Sequence, residues 1–185
     1  MYPMDLCEFM VSVGVNQNVI DTLKECFMQR LPVDSFVPEK MIDVFNLYLI
    51  VGGMPEAVNT YVETNDLAKV AEVHEKIVRL YKSDFTKYET RYKLKLQEIY
   101  DAMPGQLDQK NKRFQLNVLG QGMNYDRVAN DFLWLKDAGV AIPVYNIREP
   151  KLPLIISENR NLFKLFFSDI GLLTSCYSNQ TKLAI

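Results

Sequence analysis

The groups in this chain that could do chemistry are a few carboxylates, hydroxyls and thiols and a single imidazole, and their spacing gives them little to work with. Asp84 and Asp169 each follow a serine, Ser83 and Ser168, and sit among apolar neighbours: Phe85 beside one, Phe167 and Ile170 beside the other. A metal or acid–base site needs a second acid close by, and neither aspartate has one at ligand spacing. Both suit a capping or hydrogen-bonding role at the end of a helix or strand. The only histidine, His74, lies among Glu72, Glu75 and Lys76, which places it on a solvated helix face. No serine or cysteine then has an imidazole partner for nucleophilic catalysis. Cys7, Cys26 and Cys176 are widely spaced and odd in number, so they build neither a disulfide framework nor a zinc pattern. They read as small buried hydrophobes in a reducing compartment. No catalytic residue, metal site or cofactor is expected.

Phosphate chemistry is excluded in one form and open in another. The glycines nowhere form G-x-x-x-x-G-K-[ST], and Gly120-Gln121-Gly122 lacks the third glycine and the βαβ context of a dinucleotide site. The Val51-Gly52-Gly53-Met54-Pro55-Glu56 segment reads as a helix–helix turn in which the glycines take left-handed conformations and Pro55 opens the next helix. Polyanion binding needs only clustered cations, and Lys110, Lys112 and Arg113 form such a cluster, with Arg148 and Lys151 at a turn further on. Charge is divided along the chain: residues 1–88 carry 8 Lys and Arg against 13 Asp and Glu, and residues 89–185 carry 13 against 10.

The elements that position these groups follow from periodicity and punctuation. Asp5 caps a helix from Leu6, with Glu8 in capping-box position and Gly14 at its end. Val19, Ile20, Leu23 and Phe27 form a second helical stripe that stops by Pro32, and Pro38 opens a third helix faced by Met41, Ile42, Phe45, Tyr48 and Leu49. Pro55 starts a fourth through Tyr61. Asp66 caps the longest, with Val70, Val73, Ile77, Leu80 and Tyr81 on its stripe. Further on, Tyr92 to Met103 is helical until Pro104-Gly105 stops it. Phe114 to Leu119 alternates like a strand, and Asn124 caps a helix over residues 125–137 whose inner face is Val128, Phe132 and Leu135. Gly139 ends that helix. Strands over 140–147 and 162–167 close the pattern around a turn containing Pro150 and Pro153.

Helix, helix and hairpin is the order of a winged helix. The expected fold is therefore mainly α: a helical bundle over 1–88, followed by a winged-helix-like α+β module with a small β-hairpin over 89–185. An apolar share of 48 % against 24 % charged residues suits a globular protein, and no apolar run approaches the length of a membrane span. The expected setting is cytoplasmic, away from membranes. The helix over 125–137 presents Arg127, Asn130, Asp131 and Trp134 outward and is net acidic, so it is a poor surface for a duplex. Nucleic-acid binding, if present, falls to Lys110, Lys112, Arg113, Arg148 and Lys151.

Several short segments, taken together, carry a resemblance: Tyr2-Pro3-Met4, Glu8-Phe9, the Val51–Glu56 turn, Tyr81-Lys82-Ser83-Asp84-Phe85-Thr86-Lys87-Tyr88, and Phe163 to Leu173. In this order they resemble the region of unknown function that follows the ATPase module in a family of bacterial and archaeal AAA-type ATP-binding proteins. The resemblance implies that the chain starts after the ATPase, which carries the phosphate loop, and stops before a restriction-endonuclease-like region often found downstream. It implies a non-catalytic segment whose partner is the ATPase module of the same protein. A DNA-binding winged helix and a protein-interaction module are the alternatives.

Overall fold

The computed structural model describes residues 2–33, 36–85 and 90–177, with side chains omitted at 36 and 90–94. In chain order the helices are α1 (Leu6–Ser12), α2 (Gln17–Gln29), α3 (Phe36–Val51), α4 (Pro55–Thr64), α5 (Leu67–Phe85), α6 (Thr90–Asp108) and α7 (Ala129–Asp137). Strands β1 (Ala141–Ile147) and β2 (Glu158–Phe167) and helix α8 (Ile170–Cys176) follow. Among the described residues, eight α-helices and one two-stranded antiparallel sheet make the fold mainly α with a small hairpin. It forms two compact units, Met1–Ile77 with Asp169–Ile185 and Val78–Ser168. The expected boundary between 88 and 89 is therefore not where the units part. Helix α8 belongs with α1 to α4 and the first part of α5, to Ile77, rather than with the hairpin.

In the first unit, Asp5 and Glu8 form the expected capping box: Glu8 N donates to Asp5 Oδ1 and Asp5 N donates to Glu8 Oε2, each at 2.9 Å. The core is Phe9, Val51, Ala57, Val58 and Val70, and Leu47, Tyr48, Leu67 and Val73 pack against it. This corrects the expected inner face of α3. Ile42 and Phe45 are exposed; Tyr48 turns inward as expected, and Val44, Leu47 and Val51 turn inward with it. On the other stripes Phe27 and Leu80 are exposed, whereas Ile20, Val70 and Ile77 are buried. The cysteines also differ from expectation: Cys7 and Cys26 are half-buried and Cys176 is exposed, with its thiol donating to Leu172 O at 3.4 Å.

The second unit is built on aromatic packing. Phe132 meets Phe163 with ring centroids 5.0 Å apart and Phe114 at 5.8 Å, in the edge-to-face arrangement that ring quadrupoles favour. Val128, Phe132 and Leu135 are fully buried, as their spacing requires. Two expectations fail here for one reason, that packing overrides local propensity. The sixth helix runs through Pro104 to Asp108, because Met103, Gln106 and Leu107 are buried on either side of the proline and hold the turn that it would otherwise open. The strand expected over 114–119 gives a single ladder-like bond, Phe114 N to Phe163 O at 3.0 Å. The next amide, Gln115 N, turns to the buried Gln106 Oε1 at 2.9 Å, and Leu116–Leu119 coils into a 3₁₀ turn. The helix expected over 125–137 is divided as well, into a 3₁₀ turn at Tyr125–Arg127 and then α7.

The hairpin runs in register from Ala141↔Phe167 to Tyr145↔Phe163 and then jumps to Asn146↔Asn159. Arg160, Asn161 and Leu162 thus face no partner residue across the ladder and bulge out of β2.

Candidate functional site

In the first unit, the end of the third helix is where signature residues meet. Gly52 breaks α3 with φ +73°, in the left-handed region, so the turn reading of this glycine is correct. Gly53 needs the absence of a side chain for another reason: a Cβ there would stand 2.7 Å from Met4 N. Asp169, 2 % exposed, closes the arrangement. Its Oδ1 accepts from Leu172 N at 2.9 Å as the N-cap of α8, and its Oδ2 accepts from Gly53 N at 2.6 Å. Gly53 O in turn accepts from Met4 N at 2.7 Å. Tyr48 donates its hydroxyl to Met4 O at 3.0 Å. Burial, and then the nearby charges of Asp169, Asp5 and Glu8, hold the Tyr48 phenol above its ordinary range.

The last turn of a helix leaves carbonyls without intrahelical partners. Here distant side chains satisfy two of them: Thr174 Oγ1 donates to Leu49 O at 2.7 Å, and His74 Nε2 lies 2.9 Å from Val51 O. A carbonyl can only accept, so that ring nitrogen carries the proton. The expectation of a solvated His74 is corrected: the side chain is fully buried. It sits four residues after Val70, on the inner stripe of α5. The capping role expected of Asp169 is what the structure shows.

In the second unit, charge is the distinguishing property. Divided at the observed boundaries, Val78–Ser168 carries 15 Lys and Arg against 10 Asp and Glu, net +5, and the first unit carries 6 against 13, net −7. Lys110, Lys112, Arg113, Arg148 and Lys151 are all exposed. They are not equally available. Lys112 turns its ammonium back onto Leu107 O at 2.9 Å, where it caps the end of α6. Lys151 pairs with Glu149 at 2.8 Å across an exposed contact that contributes little stability. Arg113 reaches the β2 bulge, donating Nη2–H to Asn161 O at 3.2 Å. Asp131, expected to face outward, is 4 % exposed and pairs with Lys95 at 3.5 Å. Burial raises its carboxyl above the ordinary range, and the lysine only partly offsets this.

Arg113 stands between two hollows that sequence spacing gave no reason to expect. One, of about 510 Å³, is walled by Val144 and Leu162, with Lys164, Asn111 and Asn146 at its edge. The other, of about 420 Å³, shares Asn111 and Arg113 and adds Asn117, Asn124, Asn161 and Gln115. Lys164 joins this surface because its register partner on β1 is Val144, which puts the two side by side on the outer face of the hairpin. Beneath the groove Tyr125 and Tyr145 share a 2.6 Å hydroxyl contact, and burial followed by that bond pushes the Tyr145 phenol well up. Among the described residues no group of three or more His, Cys, Asp or Glu side chains is placed to hold a metal ion.

A mainly α protein of two units, one acidic and closed around a buried aspartate, the other basic and grooved, is what these features define. The chain belongs to the family described as Domain of unknown function (DUF8612), whose model matches residues 42–183. The matched span takes in the Val51–Glu56 turn, His74, the hairpin and the Asp169 cap. No curated protein and no solved structure is matched. Among the described residues no helix is long and apolar enough to cross a membrane.

Proposed function

We propose that the chain is a non-catalytic helical plus winged-helix segment of an AAA-type ATP-binding protein, acting in the cytoplasm as the module that follows the ATPase. The observation that carries this reading is what Asp169 does. It lies in one of the segments that resemble that family, and both of its carboxylate oxygens are engaged by backbone amides, Gly53 N and Leu172 N. Two other resembling segments, at Met4 and at Gly52-Gly53, are tied into the same cluster. The resemblance thus falls on residues that hold a fold together, which favours a module that positions partners over one that reacts. On this reading the isolated chain binds no nucleotide triphosphate. Isothermal titration with Mg-ATP tests it, and stoichiometric binding at micromolar affinity overturns it.

A second reading is favoured by the net +5 of the second unit. Exposed Lys110, Arg113 and Arg148 would contact nucleic-acid phosphates, giving weak, sequence-tolerant and salt-sensitive binding.

A further inference from the structure

We infer that the paired hollows astride Arg113 form a binding site for single-stranded nucleic acid, with phosphates on Arg113 and Lys164 and bases against the aliphatic and amide walls. This rests on the second reading above and goes further, naming the form of the nucleic acid and the residues that meet it.

The lining chemistry carries the argument. The two hollows share Asn111 and Arg113, so they form one track across the hairpin and the segment after α6. No carboxylate lines either of them. Such a surface attracts a polyanion, with no fixed anion in its lining. Six of the fifteen lining side chains are amides. The oxygens of Asn111 and Asn124 already accept from Arg113 N and Arg127 N, and Gln115 Nε2 donates to Gln109. The rest of their amide groups supply both donors and acceptors. Amides at this density suit the mixed donor and acceptor edges of unpaired bases and have less to offer a ligand that is all phosphate. Val144, Leu162 and Met123 supply apolar surface for base faces.

The cations are positioned for the backbone of such a strand. Among the described residues the Arg113 guanidinium donates only to Asn161 O, which fixes its plane and leaves its other N–H groups for a phosphate. Lys164 is exposed on the strand and forms no ion pair among the described residues.

A duplex fits less well. Its bases are stacked and paired, so hollows of this size meet only its convex backbone. The exposed face of the helix that would enter a groove carries Lys136 against Asp137, so it offers a duplex no net positive charge. A single strand can turn its bases into the hollows one at a time.

Fluorescence anisotropy of the full chain with labelled strands of roughly ten nucleotides, as DNA, as RNA and as the DNA duplex, tests this. Either single strand should bind about tenfold more tightly than the duplex at low salt, and two phosphate contacts give a log–log salt slope near −1.4 for the strand, on the order set by counterion release. Preference for RNA over DNA would assign the site to the 2′-hydroxyl-bearing polymer. Lys164→Glu should weaken strand binding about tenfold without changing the melting temperature, whereas Lys110→Glu with Arg148→Glu should weaken only the duplex. Duplex binding equal to strand binding, or strand binding indifferent to Lys164→Glu, overturns the inference and leaves the second reading standing. No binding of any of the three at low salt overturns both.

Discussion

The Asp169 cluster and the Arg113 groove are both polar, but they use their polar atoms differently. In the cluster, a carboxylate, an imidazole and two hydroxyls all point at backbone groups of the same unit: Gly53 N and Leu172 N, Val51 O, Leu49 O and Met4 O. In the groove, amides and cations line an open surface and only a few bonds tie them down. A buried polar group without a partner costs about 1–3 kcal/mol, so a closed cluster of this kind is explained by folding alone. Exposed polar groups incur no such cost. Asn111 and Asn124 serve local turns by accepting from Arg113 N and Arg127 N, but folding gives no reason for the other amides and two cations to share a concave surface without a carboxylate. The density of polar groups therefore says little about function; whether their partners lie inside the chain says more.

The comparison can be tested at its edges. The largest effect is expected beneath the groove: Phe132→Ala removes a fully buried ring packed on Phe163 and should cost roughly 3–5 kcal/mol, read from denaturant unfolding. An unchanged transition midpoint would mean that the groove has no fixed floor. Next is Asp169→Asn in the cluster. The amide has one acceptor oxygen in place of two, so one of Gly53 N and Leu172 N loses its partner, and about 2–3 kcal/mol of stability should go with it. A neutral result would show that the carboxylate is not needed for folding and would reopen a chemical role for it. The smallest effect is expected at Asp131. Its raised carboxyl favours the protonated form in the folded chain, so its contribution to stability is full below the ordinary value of 3.8 and is lost as pH rises through the folded value. Asp131→Asn should therefore leave stability at neutral pH unchanged or raise it by about 1 kcal/mol, and that gain should fade in acid. Melts at the two pH values check the sign; a loss at neutral pH would mean that the Lys95 pair outweighs burial.

What could be read from the residues was what is decided nearby. Asp5 and Glu8 are three residues apart, so their capping box is written in the local pattern. Val128, Phe132 and Leu135 share a face by helical spacing alone. Asp169 was legible as a cap because the amide that it caps is three residues away; its second partner, Gly53, is 116 residues distant and left no local trace. His74 was misplaced for the same reason. Its charged sequence neighbours suggest a wet face, and the carbonyl that holds it belongs to another helix. The break expected at Pro104 and the strand expected over 114–119 were both outweighed by burial of residues around Met103 and Phe114, which periodicity does not report. Of the groove, Arg113 was visible as part of a basic cluster. Lys164 was not, because only the hairpin register places it beside Val144.

The first unit is interrupted in the chain by the whole of the second. Synthesis runs from the N-terminus, so Leu49 O and Gly53 N emerge from the ribosome more than a hundred residues before Thr174 and Asp169, the side chains that satisfy them. Until then, the N-terminal helices must wait with the end of α3 unsealed, while everything needed by the intervening unit has already been made. The order of translation thus runs against the order in which the first unit can close, and α8 is the late piece that completes a unit begun more than a hundred residues earlier.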